Sequence, residues 1–94
     1  MAKLKMRPWD SAAYLKTGKD VAQYLEAVFE IGDPALITHA LGVIARSKGM
    51  AKIAKKAGLG RESLYKALSK GGNPEFLTVL KVVQALGYKL RLAA

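Results

Sequence analysis

A chain of 94 residues with 16 Lys+Arg against 7 Asp+Glu carries a formal net charge of +9, and a chain this short is expected to form one domain, residues 1–94. With 51% apolar and 24% charged residues, it is too hydrophobic for a disordered basic tail. It has no cysteine, which excludes a disulfide scaffold, a thiol nucleophile and a Cys-based zinc site.

No apolar run approaches the roughly 18–20 residues that span a bilayer. The basic start, Met1 to Trp9, has no apolar stretch of about 7–15 residues behind it, as a secretory signal would. A cytoplasmic protein without membrane contact is expected.

In chain order, nearly everything reads as helix. Asp10 suits an N-cap for a short helix over Ser11–Lys16, closed by Thr17-Gly18. Lys19 or Asp20 opens a second helix, in which Val21, Tyr24, Leu25, Val28 and Phe29 recur at the spacing of one buried face. After Ile31-Gly32, Asp33-Pro34 restarts the helix as an N-cap followed by proline, whose missing N–H costs nothing there. Leu36, Ile37, Ala40, Leu41 and Ile44 supply its core stripe, and Lys48-Gly49 stops it.

The elements then shorten. Met50–Ala57 fits two helical turns with Ile53, Ala54 and Ala57 inward, and Gly58-Leu59-Gly60 makes a tight turn. A helix over Arg61–Ser69 with Leu64, Ala67 and Leu68 inward follows, ended by Gly71-Gly72. Asn73-Pro74 repeats the N-cap-plus-proline start, with Phe76, Leu77, Leu80, Val83 and Leu86 inward up to Gly87. Tyr88-Lys89-Leu90-Arg91-Leu92 alternates polar and apolar residues, the pattern of a short strand or of a frayed end. The expected fold is all-α, a five-to-six-helix domain with a possible short C-terminal strand.

Charge is unevenly distributed. Residues 1–9 carry +3, residues 10–45 carry −3 and residues 46–94 carry +9. A basic half beside a mildly acidic one is the footprint of a polyanion-binding end, although a basic surface is also simply well solvated. The chain therefore divides into N-terminal helices, 1–45, and a basic portion, 46–94.

Within that basic portion, Met50 to Leu68 resembles the helix-turn-helix of phage repressors and Cro-like proteins. Such a unit needs a small residue where its helices cross, met by Ala54, and a glycine able to turn left-handed, met by Gly58. Leu59 plugs the angle between the helices, while Ile53, Leu64 and Leu68 anchor them to the core. A generic pair of core helices with a glycine turn shares much of this pattern. The resemblance implies that Arg61, Glu62, Ser63, Tyr65, Lys66 and Ser69 project toward the major groove. Arg61 suits a bidentate contact to a guanine edge. Glu62 either accepts from cytosine N4 or orients Arg61 and caps the helix, and Tyr65 either reaches a phosphate or packs on a thymine methyl. Lys52, Lys55, Lys56 and Lys70 suit the phosphates, where they set affinity without reading sequence. Gly60 departs from the pattern, which usually places Ser or Thr there as a cap.

Further residues extend the resemblance over nearly the whole chain. Arg7-Pro8-Trp9-Asp10, Asp20 to Leu25, Gly32-Asp33-Pro34, Ala40-Leu41-Gly42 and Ile44-Ala45-Arg46 carry it, with Gly58 to Ser69, Gly72-Asn73-Pro74 and Leu80 to Gly87. It is similar to the addiction-module antidote proteins, antitoxins encoded beside RelE/ParE-type, phage-derived toxins. That resemblance implies a homodimer that binds double-stranded DNA at its own promoter and neutralises a cognate toxin by direct binding. Because such toxins are typically basic, the acidic 10–45 segment suits one. Trp9, Tyr14 and Leu15 are toxin-contacting candidates, or else pin an N-terminal helix to the core. Leu90 and Leu92 either pair with the same segment of a second subunit or end the chain without order.

No enzyme is expected. There is no Ser/His/Asp set and no phosphate-cradling glycine loop, and His39, the single histidine, has no second ligand at helical spacing. Neither cofactor, metal nor small-molecule substrate is implied. The readings that compete with the antitoxin-autorepressor are a plain phage-type transcriptional regulator without a toxin partner, and a nonspecific basic nucleic-acid-binding protein.

Overall fold

The computed structural model describes residues 18–93, which form five helices and no strand. They are α1 (Gly18–Ile31), α2 (Pro34–Lys48), α3 (Met50–Ala57), α4 (Arg61–Ala67) and α5 (Phe76–Ala85). The helix expected over Ser11–Lys16, and the candidates Trp9, Tyr14 and Leu15, lie outside the described residues.

The helix boundaries follow local chemistry. Asp33 caps α2 by accepting from the Ala35 N–H through Oδ1 at 3.1 Å, with Pro34 in the first turn. This satisfies a donor that the helix itself leaves free. Arg46 and Lys48 sit in the last turn of α2, where cations complement the helix dipole. Its final carbonyls are met at Gly49, whose N–H donates to Arg46 O at 3.3 Å.

One hydrophobic core draws on every helix. Val21, Leu25 and Val28 enter from α1, Ile53 and Ala54 from α3, Leu64 from α4 and Val82 and Val83 from α5, with Leu68 just past α4. The expected stripe on α2 is there, but residues 40–45 are all buried. This stretch of α2 is enclosed on every side rather than on one face, before the helix emerges at the exposed residues 46–48. Gly42 shows how closely: a Cβ there would stand 2.7 Å from the Leu68 carbonyl oxygen.

Four expectations need correcting. α4 ends at Ala67, not Ser69, and Ser69 lies in the bend beyond it. Asn73-Pro74 does not start α5; the N-cap is Glu75, in extended conformation, and the first intrahelical bond runs from the Val79 N–H to Glu75 O at 3.1 Å. The cause is upstream. Gly71, at φ +80, turns the chain back so that Gly72 lies against the Lys66 and Ala67 carbonyls, and the segment after it is spent travelling to α5. Phe76 and Leu77, expected inward, are 71% and 55% exposed. Burial on α5 starts later, at Val79, Val82, Val83 and Leu86, because periodicity assigns a face without saying how far along the helix its neighbours reach.

The fourth correction is the C-terminal strand. Residues 88–93 carry neither helix nor strand, and Leu92 is fully exposed. A strand needs a second edge for its N–H and C=O groups, and the described residues provide none. The segment is nonetheless tied down at one point. The Tyr88 hydroxyl donates to the Gly18 carbonyl at 2.9 Å, joining positions 70 apart in the chain. No described helix is long and apolar enough to cross a membrane.

Candidate nucleic-acid interface

α3 is eight residues with a sharp division of faces. Met50, Ile53 and Ala54 are buried, while Lys52, Lys55 and Lys56 are exposed. The alternation follows the 3.6-residue period, which puts the lysines opposite the core-facing positions.

The turn after α3 is fixed by its backbone. Gly58 adopts φ 71, ψ 32, the left-handed conformation that glycine enters without steric cost. Its N–H reaches Lys55 O at 3.2 Å, and the Leu59 N–H reaches Ala54 O at 2.9 Å. These two bonds close a Schellman motif, in which an apolar residue just after the glycine packs back on the helix end. Leu59 fills that position and is half-buried against the core.

α4 begins after Gly60, extended at φ −70, ψ 139 and offering no side-chain cap. The Leu64 N–H meets Gly60 O at 2.9 Å. Leu64 is buried, so the seven-residue helix is held by one side chain within it and by Leu68 just past its end. Arg61, Glu62, Ser63, Tyr65 and Lys66 are all exposed. Arg61, Glu62, Tyr65 and Lys66 line an open depression on the outer side of the helix. The structure therefore brings the guanidinium, the carboxylate, the phenol and an ammonium together on one small convex element, with Leu64 pointing away from them.

The other candidates are placed differently. Ser69 is half-buried, and its hydroxyl donates to Lys66 O at 2.8 Å. That bond satisfies a carbonyl at the end of α4, so the Ser69 side chain is already engaged. Lys70 is exposed in the turn that follows. Arg46, which sequence reasoning did not select, belongs to the same neighbourhood: its Nη1 and the Leu68 carbonyl oxygen crowd the same point beside Gly42, at 3.2 Å and 2.7 Å from where a Cβ would stand. The small residue that admits this approach, Gly42, was the available signal. Beyond this face, His39 has a buried Nε2 without a hydrogen-bond partner. Among the described residues, no three His, Asp or Glu side chains are grouped to hold a metal ion.

Comparison with known proteins is consistent over nearly the whole length. A family model described as "Probable addiction module antidote protein" matches residues 5–94. The chain is 41% identical over 88 residues, 94% of its length and 91% of the relative's, to an uncharacterized protein of Haemophilus influenzae. No solved structure matches.

Proposed function

The chain belongs to the family of probable addiction module antidote proteins, a membership that implies a toxin partner in general, and from that premise we propose that it neutralises a RelE/ParE-like toxin by direct binding and represses its own operon by sequence-specific DNA binding. In this reading α3 and α4 form a helix-turn-helix of the phage-repressor type. α4 enters the major groove, Arg61 reads a guanine edge, and Glu62 holds Arg61 in position. Lys66 projects toward the groove with Arg61, and Lys52, Lys55, Lys56 and Lys70 meet the flanking phosphates.

The observation that carries the DNA-binding half is the exposed basic face itself. Lys52, Lys55 and Lys56 on α3, Arg61 and Lys66 on α4 and Lys70 just beyond it are all exposed, Leu64 is the one fully buried side chain of α4, and the turn between the two helices is fixed by the left-handed Gly58. An exposed cationic α-helix, about 10–12 Å across with its side chains, is what the major groove, about 12 Å wide, admits. The toxin-binding half rests on the family.

Two assays separate the halves. Footprinting on the DNA directly upstream of the protein's own gene should give a protected site that random DNA does not. Expression of the neighbouring small gene should arrest growth, and co-expression of this protein should relieve the arrest with the two proteins copurifying. A harmless, non-binding neighbour leaves a transcriptional regulator without a toxin. Equal affinity for upstream and random DNA leaves a nonspecific basic protein.

A further inference from the structure

Between Asp33 and Glu75 the sequence holds eight Lys and Arg but a single carboxylate, that of Glu62. All nine side chains are exposed. Glu62 does not stand at the margin of this basic surface. It lines the depression on the outer side of α4 together with Arg61, Tyr65 and Lys66. On a face that meets a polyanion, a carboxylate opposes every phosphate it approaches. Strong binding therefore requires a contact that offsets it.

Local roles leave the carboxylate available for such a contact. Gly60 is the N-cap of α4, which makes Glu62 the second helical residue. A Glu that reaches back to a cap N–H does so from the third. Steadying Arg61 occupies one carboxylate oxygen and leaves the other free to accept.

We propose that Glu62 is a specificity-determining residue, whose carboxylate accepts from the exocyclic amine of a cytosine at the base pair beside the one that Arg61 reads, and which disfavours duplexes lacking that amine. The proposal rests on the DNA-binding reading given above and names the base that the site selects.

Chemistry selects cytosine. An ionised carboxylate only accepts hydrogen bonds. In the major groove guanine presents O6 and N7, and thymine presents O4, so either base leaves Glu62 desolvated against another acceptor. Adenine sets its N7 acceptor beside its N6 donor, whereas cytosine offers the N4 donor alone. The register follows from covalent geometry. Successive Cα atoms are about 3.8 Å apart and successive base pairs about 3.4 Å apart, so Arg61 and Glu62 address neighbouring pairs. One charge thus acts twice: it lowers affinity for the phosphates of any duplex, and only the matching base offsets the loss.

The test compares wild type with Glu62→Gln, after circular dichroism has checked that the variant keeps its fold. The probes are the footprinted upstream duplex, a random duplex of equal length, and upstream duplexes in which each cytosine of either strand is changed in turn to adenine with its complement. Arg61→Ala on the same set marks the pair that Arg61 reads. Wild type should lose affinity about 5- to 150-fold when the neighbouring cytosine is changed. Glu62→Gln should bind the random duplex about 2- to 5-fold more tightly at physiological salt, because one repulsive charge is gone. At that cytosine it should accept adenine equally or better, since glutamine pairs with adenine N6 and N7.

A merely structural Glu62 cannot raise affinity for random DNA. Equal changes on upstream and random duplexes, in either direction, overturn the proposal, because Glu62 then supplies only stability or charge. A variant that matches wild type on every duplex overturns it as well. If Glu62→Gln loses discrimination at the pair marked by Arg61→Ala and nowhere else, Glu62 acts only through Arg61, and the proposal is overturned while the DNA-binding reading stands. Wild type that binds upstream and random duplexes alike overturns that reading, and this proposal with it.

Discussion

Replacing Gly72 by alanine tests the packing at the end of α4. An alanine Cβ there would collide with the Ala67 carbonyl oxygen and stand 2.7 Å from the Lys66 carbonyl oxygen and 2.8 Å from the Ala67 carbonyl carbon. All three are backbone atoms, so no side chain can swing aside, and the two segments must separate by most of an ångström. Overpacking of this kind costs about 1–3 kcal/mol. Loss of unfolded-state freedom on replacing glycine returns about 0.4–1 kcal/mol. The expected net is a loss of about 1–2 kcal/mol, seen as a fall of roughly 4–16 °C in Tm for a domain of this size, with a matching fall in the urea midpoint at unchanged slope. The control is Gly71→Ala, where a Cβ meets nothing within 4 Å but φ is +80; its cost is the left-handed strain alone, about 1–2 kcal/mol. A neutral or stabilising Gly72→Ala, measured beside a destabilising Gly71→Ala, would refute the close approach of residue 72 to α4.

Gly60→Ser should stabilise the fold by about 0.5–1 kcal/mol in urea unfolding, because a Cβ there has only ordinary contacts near Ser63 and serine supplies the missing cap. Tyr88→Phe should cost about 0.5–1 kcal/mol, the net worth of one hydrogen bond at an accessible site; hydrogen exchange should locate the loosening at the start of α1. Lys55→Ala should weaken upstream and random DNA alike and reduce the slope of log affinity against log salt by about 0.9. Arg61→Ala should weaken the upstream site by a further factor of about 5–150 relative to random DNA, and equal losses at both would remove Arg61 from sequence readout.

The parts of the fold set by backbone chemistry within a few residues were legible before any coordinates. Asp33-Pro34 caps α2, Gly49 separates α2 from α3, and Gly58 turns left-handed after α3, because each depends on the dihedral freedom or hydrogen-bonding capacity of a residue at a helix end. Positions fixed by more distant neighbours were not. Asn73-Pro74 has the composition of a helix start, yet the fold-back of Gly72 onto α4 delays α5 to Phe76. The exposure of Phe76 and Leu77 depends on where the neighbouring elements stop. For the candidate interface, the outward placement of Glu62, Tyr65 and Lys66 follows from helical period once Leu64 is placed inward, whereas Arg61, three residues before Leu64, shares its face by period and is exposed only because the core does not reach the first turn of α4. The engagement of the Ser69 hydroxyl and the approach of Arg46 to Leu68 arise from the chain's path after α4 and from the crossing with α2.

The hydrogen bond from Tyr88 to Gly18 makes the five helices a nearly closed circuit, in which the order along the chain reflects only where the circuit is opened. Gly32 and Asp33, exposed and between helices, offer another opening. A polypeptide that begins at Asp33, runs through α2 to α5 and returns from Tyr88 through a few linking residues to Gly18 would keep every helix described and the core contacts among them. Its own ends would lie at the α1–α2 corner. A fused label or second domain would then be carried on a different side of the molecule, with α3 and α4 untouched.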